Sequence, residues 1–193
     1  MPIQTPIQTR FSPLNPLRQS LAWKAGVVLF GGIFLALASR IEVPMVPVPI
    51  TMQTFAVTLI GALYGWRLGA VTVLAWLGAA AMGLPLLASG KFGLAPFIGP
   101  TAGYLFAFPL AAMLTGWLAQ RGWNGGRPWL AGLSMLAGNM LCLVIGAAWL
   151  AQLIGVEAAI TAGVLPFLLG GALKSVLAAM VLRLTRGGLK RRA

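Results

Sequence analysis

Long apolar runs alternate with short interruptions rich in proline, glycine and charge along almost the whole chain. The runs extend from about Leu21 to Ser39, Met52 to Trp66, Leu68 to Leu87, Thr101 to Ala119, Trp129 to Ile154 and Phe167 to Leu184. Each approaches the roughly 20 residues that an α-helix needs to cross a bilayer. A run that is apolar all round, rather than striped, suits a helix surrounded by lipid and other helices. The pattern predicts an all-α membrane protein with six transmembrane helices in a compact bundle, residues 21–184. A polar lead-in, residues 1–20, precedes it and a basic tail, residues 185–193, follows.

The second and third runs meet at Arg67 and predict a tight hairpin. Gly61, Gly65 and Gly69 recur at four-residue spacing, as do Ala75, Ala79 and Gly83, which lets helix backbones approach closely. Packing inside the bundle is the first explanation of that spacing. Three interruptions stand out. Ser39 to Thr54 carries Pro44, Pro47 and Pro49, and proline fixes φ, lacks an N–H and restricts the residue before it, so the segment is expected to be extended. It reads as a surface loop or, because a stiff loop loses little entropy on ordering, as the wall or lid of a binding site. Ala88 to Pro100 is glycine- and proline-rich and carries Lys91, and Gly155 to Pro166, with Glu157, is expected to turn the chain.

Composition narrows the chemistry. The chain is 59% hydrophobic and 8% charged, against about 25% charged in soluble domains. It has no His, and its only acids are Glu42 and Glu157. A His-based triad and a His/Cys metal cage are therefore excluded, and two isolated glutamates make a poor acid–base pair. No enzymatic activity, metal or cofactor bound by this chain is expected. Cys142 lies alone in an apolar run and reads as packing. Lys24, the apolar stretch after it and Ala36-Leu37-Ala38 imitate a secretory signal, but the long polar lead-in favours a retained first helix.

The net charge is +12, and its distribution points away from nucleic acid. Basic residues flank the apolar spans, as topology and anionic headgroups demand. With alternating spans, Arg10, Arg18, Lys24, Arg67, Arg121, Arg127, Arg183, Arg186, Lys190, Arg191 and Arg192 share one face. Those are eleven of the 14 Lys and Arg; Arg40 and Lys91 take the other face, and Lys174 lies within a span. The expectation is a multi-pass membrane protein in contact with lipid, with both termini cytoplasmic. The three irregular connections then face outward together.

Lys174 lies eight residues past Pro166, about 12 Å along a helix. An intramembrane cation is costly and calls for a partner, yet both acids sit in loops. An anionic ligand would supply the missing charge; outward snorkelling is the plain alternative. Gly170 and Gly171 before it would let a ligand approach the backbone. Lys91 is an outer cation, or a solvated loop lysine. Asn139 must find hydrogen-bond partners, from a ligand or a neighbouring helix. Thr51, Gln53, Thr101 and Tyr104 cluster at outer helix starts. Trp149 fits an aromatic belt first and a ligand wall second. A phosphate-binding G-x-x-x-x-G-K-[ST] motif is absent, since Gly90-Lys91 lacks the flanking residues. Intramembrane carboxylates, the usual ion couplers, are also absent. A substrate-binding membrane subunit, energised by another protein, fits these facts.

VPVPITMQT (Val46–Thr54), GLP (Gly83–Pro85), GPTAGYLFAFPLAA (Gly99–Ala112) and PFLLGGALK (Pro166–Lys174) together resemble the BioY family, the biotin-specific S components of energy-coupling-factor (ECF) vitamin transporters. The likeness runs from about Arg40 to Lys174. It implies a six-helix protein of a prokaryotic cytoplasmic (inner) membrane that captures biotin from outside and docks on a transmembrane coupling (T) component driven by two ABC-type ATPases, which would consume the ATP where that module is present. From the likeness Lys174 carries over as a site residue; Gln53, Thr51, Lys91, Thr101, Tyr104, Asn139 and Gly171 complete the candidate site on the reading of the residues themselves, with Gln53, Asn139 or backbone carbonyls as candidate acceptors for the ureido ring. The family's sixth helix usually reads P-G-D-x-x-K; Lys174 matches its Lys, whereas Gly171 stands where its Asp would be. A small-residue face on the first helix, here Gly32 and Ala36, is the implied docking surface for the coupling component. A structural membrane subunit that binds no solute, and an S component for another vitamin-like acid, stay open as alternatives.

Overall fold

A computed structural model describes residues 20–190, with side chains described as far as residue 185. The polar lead-in before residue 20 and the side chains of most of the basic tail lie outside the described residues. Helix α1 (Leu21–Arg40) is capped by the Ser20 hydroxyl, which accepts from the Trp23 N–H at 3.2 Å. The proline segment that follows is held at its ends by a two-residue antiparallel ladder, β1 (Glu42–Val43) with β2 (Ile50–Thr51). The prolines between form the hairpin loop, and Val46–Pro47 is a cis peptide.

Helix α2 (Gln53–Ala81) folds back on itself at Gly65, whose φ of 79° and ψ of 168° break the helix into arms 53–64 and 66–81. The arms are the second and third of the six predicted spans. Positive φ is available to glycine without steric cost, which is why the turn falls there, two residues before the expected Arg67. Across the hairpin a Cβ on Gly69 would lie 3.0 Å from the Gly61 Cα, so the four-residue glycine spacing serves close approach. The third span ends at Ala81, short of the expected Leu87: Gly83 takes φ 108° and Pro85 follows. Irregular backbone there is stabilised by Trp76 Nε1 donating to Leu86 O and by Gly93 N–H donating to Ala80 O.

The Lys91 connection contains a short 3-10 turn (Ala88–Gly90) and a one-turn helix α3 (Ala95–Ile98). Helices α4 (Ala102–Gln120) and α5 (Pro128–Ile154) follow the expected boundaries closely. The predicted turn after Gly155 is instead a short helix, α6 (Val156–Gly163), leading into α7 (Leu165–Lys190). Gly155 at φ 85° separates α5 from α6 and supplies the change of direction that was expected of the whole segment. Among the described residues five helices are long and apolar enough to cross a membrane, with α2 counted once and α6–α7 counted as one.

The tightest seam lies between α2 and α4. A side chain on Gly61 would collide with Thr115 Oγ1 and the Ala112 carbonyl, and one on Gly116 with the Gly61 carbonyl and Trp66 backbone. Ala107, Ala111 and Ala112 are fully buried, as are Thr58 and Thr115, whose hydroxyls donate to carbonyls of their own helices. Helix α1 packs on the hairpin through Gly31 and Leu35, leaving Leu29, Phe30, Ile33 and Leu37 exposed. The exposed leucines of α7, including Leu169 and Leu173, form a similar outward face suited to lipid.

Candidate functional site

At the bundle end where the three irregular connections converge, the helices part around a cavity. Val48, Pro49 and Leu87 come from the loops, Leu105 and Phe108 from α4, Cys142 and Leu143 from α5, and Phe167 from α7. These give apolar walls. All eight residues singled out for a ligand, Thr51, Gln53, Lys91, Thr101, Tyr104, Asn139, Gly171 and Lys174, line the same cavity. Their free hydrogen-bonding capacity differs sharply, and that difference decides what the cavity can hold.

Several are committed to the protein. Tyr104 donates its hydroxyl to Gly163 O at 2.8 Å and stacks on Phe167 with ring centroids 6.1 Å apart, so it offers a wall more than a polar handle. Gln53 donates to Ser39 Oγ at 3.0 Å and accepts from Thr51 Oγ1 at 3.1 Å. The Thr101 hydroxyl donates to Pro96 O. Lys174 finds the partner that its neighbourhood in the sequence lacked: Nζ donates to the Thr51 carbonyl at 2.6 Å, with Thr54 Oγ1 at 3.5 Å. It points inward between α7 and the start of α2, rather than snorkelling.

Asn139 is the most informative group. Its Nδ2 donates to Met135 O at 3.0 Å and to Ser175 Oγ at 3.1 Å. Ser175 in turn donates its proton to Gly171 O at 2.7 Å, so it can only accept from the amide, and this fixes which way the amide faces. Both amide protons are used. Among the described residues nothing donates to Oδ1; the one buried side-chain atom left without a partner is Ser134 Oγ, so Oδ1 is a free acceptor open to the cavity that Asn139 lines. An acceptor of this kind at the wall of an apolar cavity is poised to take a ligand N–H. Gly171 lies beside it: a Cβ there would meet only Asn139 Cβ and Met140 Cε, both at 3.8 Å, an ordinary contact distance.

Lys91 is exposed; its backbone is held by Ala88 and Leu87, its side chain makes no hydrogen bond among the described residues, and it stands where the loops form the cavity mouth. The mouth is clamped. Glu42 accepts from both the backbone N–H and the hydroxyl of Ser89, at 2.9 and 2.7 Å, and Arg40 donates to Pro85 O at 2.6 Å. Ser89 sits at φ 54°, a left-handed conformation that these two bonds help to hold. Trp149 does not line the cavity; its Nε1 donates to Gly99 O at 3.0 Å and ties α5 to the Lys91 loop. Ser175, Ser39, Glu42 and Ser89 were not singled out from the sequence. The i, i+4 relation of Gly171 and Ser175 was the available signal for the first of them.

A helical membrane bundle with a loop-roofed cavity, apolar walls, one free acceptor open to the cavity and two cations is a solute-binding membrane protein. The BioY family model matches residues 12–191, and the chain belongs to the BioY family. A probable biotin transporter BioY of Pyrococcus horikoshii is 35% identical over 85% of this chain and 98% of its own length. The biotin transporter BioY of Rhodobacter capsulatus is 37% identical over 79% of this chain and 88% of its own. The crystal structure of an S component for biotin from an ECF-type ABC transporter superposes with a TM-score of 0.78, at 25% identity, covering 88% of this chain and 95% of that one.

Proposed function

We propose that this protein captures biotin and carries it across the prokaryotic cytoplasmic membrane as the substrate-binding S component of an ECF-type transporter. The observation that carries the reading beyond family membership is the free Asn139 Oδ1 beside Lys174. A ureido group offers N–H donors and a carbonyl acceptor on one small ring. Asn139 Oδ1 accepts one of the donors, and the remaining N–H of Lys174 meets the carbonyl. A carboxylate in that place would set two acceptors against each other, so the ring goes in first and the acid tail points to the mouth, where Lys91 is free. The ring and its thioether lie against Phe108, Leu143 and Phe167, whose burial supports the apolar part of the ligand.

The missing acid at Gly171 is then replaced in function by the Asn139 amide, an acceptor without charge. Both termini and the basic hairpin end face the cytoplasm on this reading, which follows the distribution of Lys and Arg. The cavity end faces outward to receive solute. Gly32, against which nothing packs within 4 Å, and half-exposed Ala36 offer a close-approach surface to a coupling component. That partner's ATPases supply the energy, and this chain works as a carrier without chemistry of its own. Equilibrium dialysis of the purified protein with labelled biotin is the direct test. Saturable binding is expected; its absence would leave a structural membrane subunit, and stronger competition by another vitamin-like acid than by biotin would reassign the ligand.

A further inference from the structure

Outside the cavity mouth lies a second, more open hollow. It shares Lys91, Pro96 and Thr101 with the inner cavity, and its own walls include Pro47, Phe92 and Pro100. The two spaces therefore meet at Lys91. Its walls come from proline-containing loops, which are costly to distort, and Trp149 pins the Gly99 carbonyl at its margin. Binding the ring innermost, the orientation proposed above and the reading on which this inference rests, brings the tail of biotin to Lys91. The carboxyl carbon then looks into the outer hollow.

We propose that the outer hollow is a vestibule that admits biotin extended through its carboxyl group, so that secondary amides such as biotin joined to the side-chain amine of lysine are also ligands. The amide keeps the ureido ring and the alkyl chain, which make the buried contacts. It gives up only the pairing of a free carboxylate with Lys91, and a rim-exposed ion pair contributes little. The substituent gains apolar contact with Phe92 and the proline walls. The closest chemical source of such ligands is the breakdown of biotin-bearing proteins.

Competition dialysis on the full-length purified protein, with labelled biotin and unlabelled biotinyl-lysine, tests the inference. The conjugate is expected to displace biotin completely, at concentrations within about tenfold of those that unlabelled biotin needs. Ala95 is exposed and lines only the vestibule. Ala95→Trp is expected to fill it, weakening the conjugate by about tenfold or more while biotin stays within about threefold. Phe92→Ala, which removes wall contact without adding bulk, should weaken the conjugate alone and serves should the larger substitution disturb the loop. Failure of the conjugate to compete at a wild-type protein that binds biotin overturns the vestibule and leaves the biotin reading standing. Equal losses for both ligands in both variants also overturn it. Absence of biotin binding to the wild type brings down the reading beneath it, and the vestibule with it.

Discussion

The α2–α4 seam and the α2–α7 opening lie on either side of the same hairpin and are built in opposite ways. At the seam, glycines and alanines let backbones touch, and threonine hydroxyls are satisfied within their own helices. Nothing there is left to interact with a solute. At the opening, α7 and the segment leading into α2 line the cavity together, and Lys174 reaches across from α7 to the Thr51 carbonyl. Polar groups are arranged so that one acceptor, Asn139 Oδ1, has no donor. The difference teaches where a membrane bundle stores specificity: the seam fixes the geometry, and the opening is left incomplete for a ligand to finish.

The largest effect is expected at the seam. Gly116→Val places a branched side chain against the Gly61 carbonyl and the Trp66 backbone, which cannot move without unfolding the hairpin. The variant should lose more than the about 1–3 kcal/mol typical of overpacking, and monodisperse elution with ordinary thermal stability would show the seam to be pliable. At the opening, Lys174→Ala should leave the fold intact and weaken biotin by about 2–5 kcal/mol, because a desolvated contact to the ligand is truncated. Titration calorimetry would read the loss.

Gly171→Asp sharpens the contrast, since the opening has room where the seam has none. The new Cβ meets only ordinary contacts. Folding should be preserved, and biotin should bind about 1–2 kcal/mol tighter through a charge-assisted hydrogen bond to the ureido ring. Weaker binding with an intact fold would argue that Asn139 and Lys174 already satisfy the ring. The smallest effect is expected at the mouth. Glu42→Ala removes two bonds to Ser89, at a cost of about 1 kcal/mol in stability, and its main signature should be faster exchange of bound biotin in stopped-flow measurements. An unchanged exchange rate would mean that the clamp does not control the loop.

Much of this division is visible in the chain itself. Apolar runs of membrane-spanning length mark the helices, and the glycine spacing at 61, 65 and 69 marks the hairpin, because each rests on a local rule of length or size. Pro44, Pro47 and Pro49 mark the hairpin loop for the same reason. The helix after Gly155 escaped notice because Val156 to Gly163 has one short amphipathic turn pattern and sits directly against the α7 run. The candidate residues could be gathered from polarity in apolar surroundings. Which of them remain free could not, since that depends on contacts across long sequence distances: Lys174 with Thr51, Asn139 with Ser175, Tyr104 with Gly163. The family likeness supplied biotin, and the departure at Gly171 became interpretable only once Asn139 stood beside it in space.

The central claim is the orientation of biotin, ring inward at Asn139 and Lys174, tail outward at Lys91. Measuring the affinities of biotin and of biotin primary amide for the wild-type protein and for Lys174→Ala tests it most directly. If the ring meets Lys174, both ligands lose affinity by the same factor on the substitution. A much larger loss for biotin than for its amide would put the carboxylate at Lys174 and reverse the orientation, and no loss for either ligand would remove Lys174 from the site.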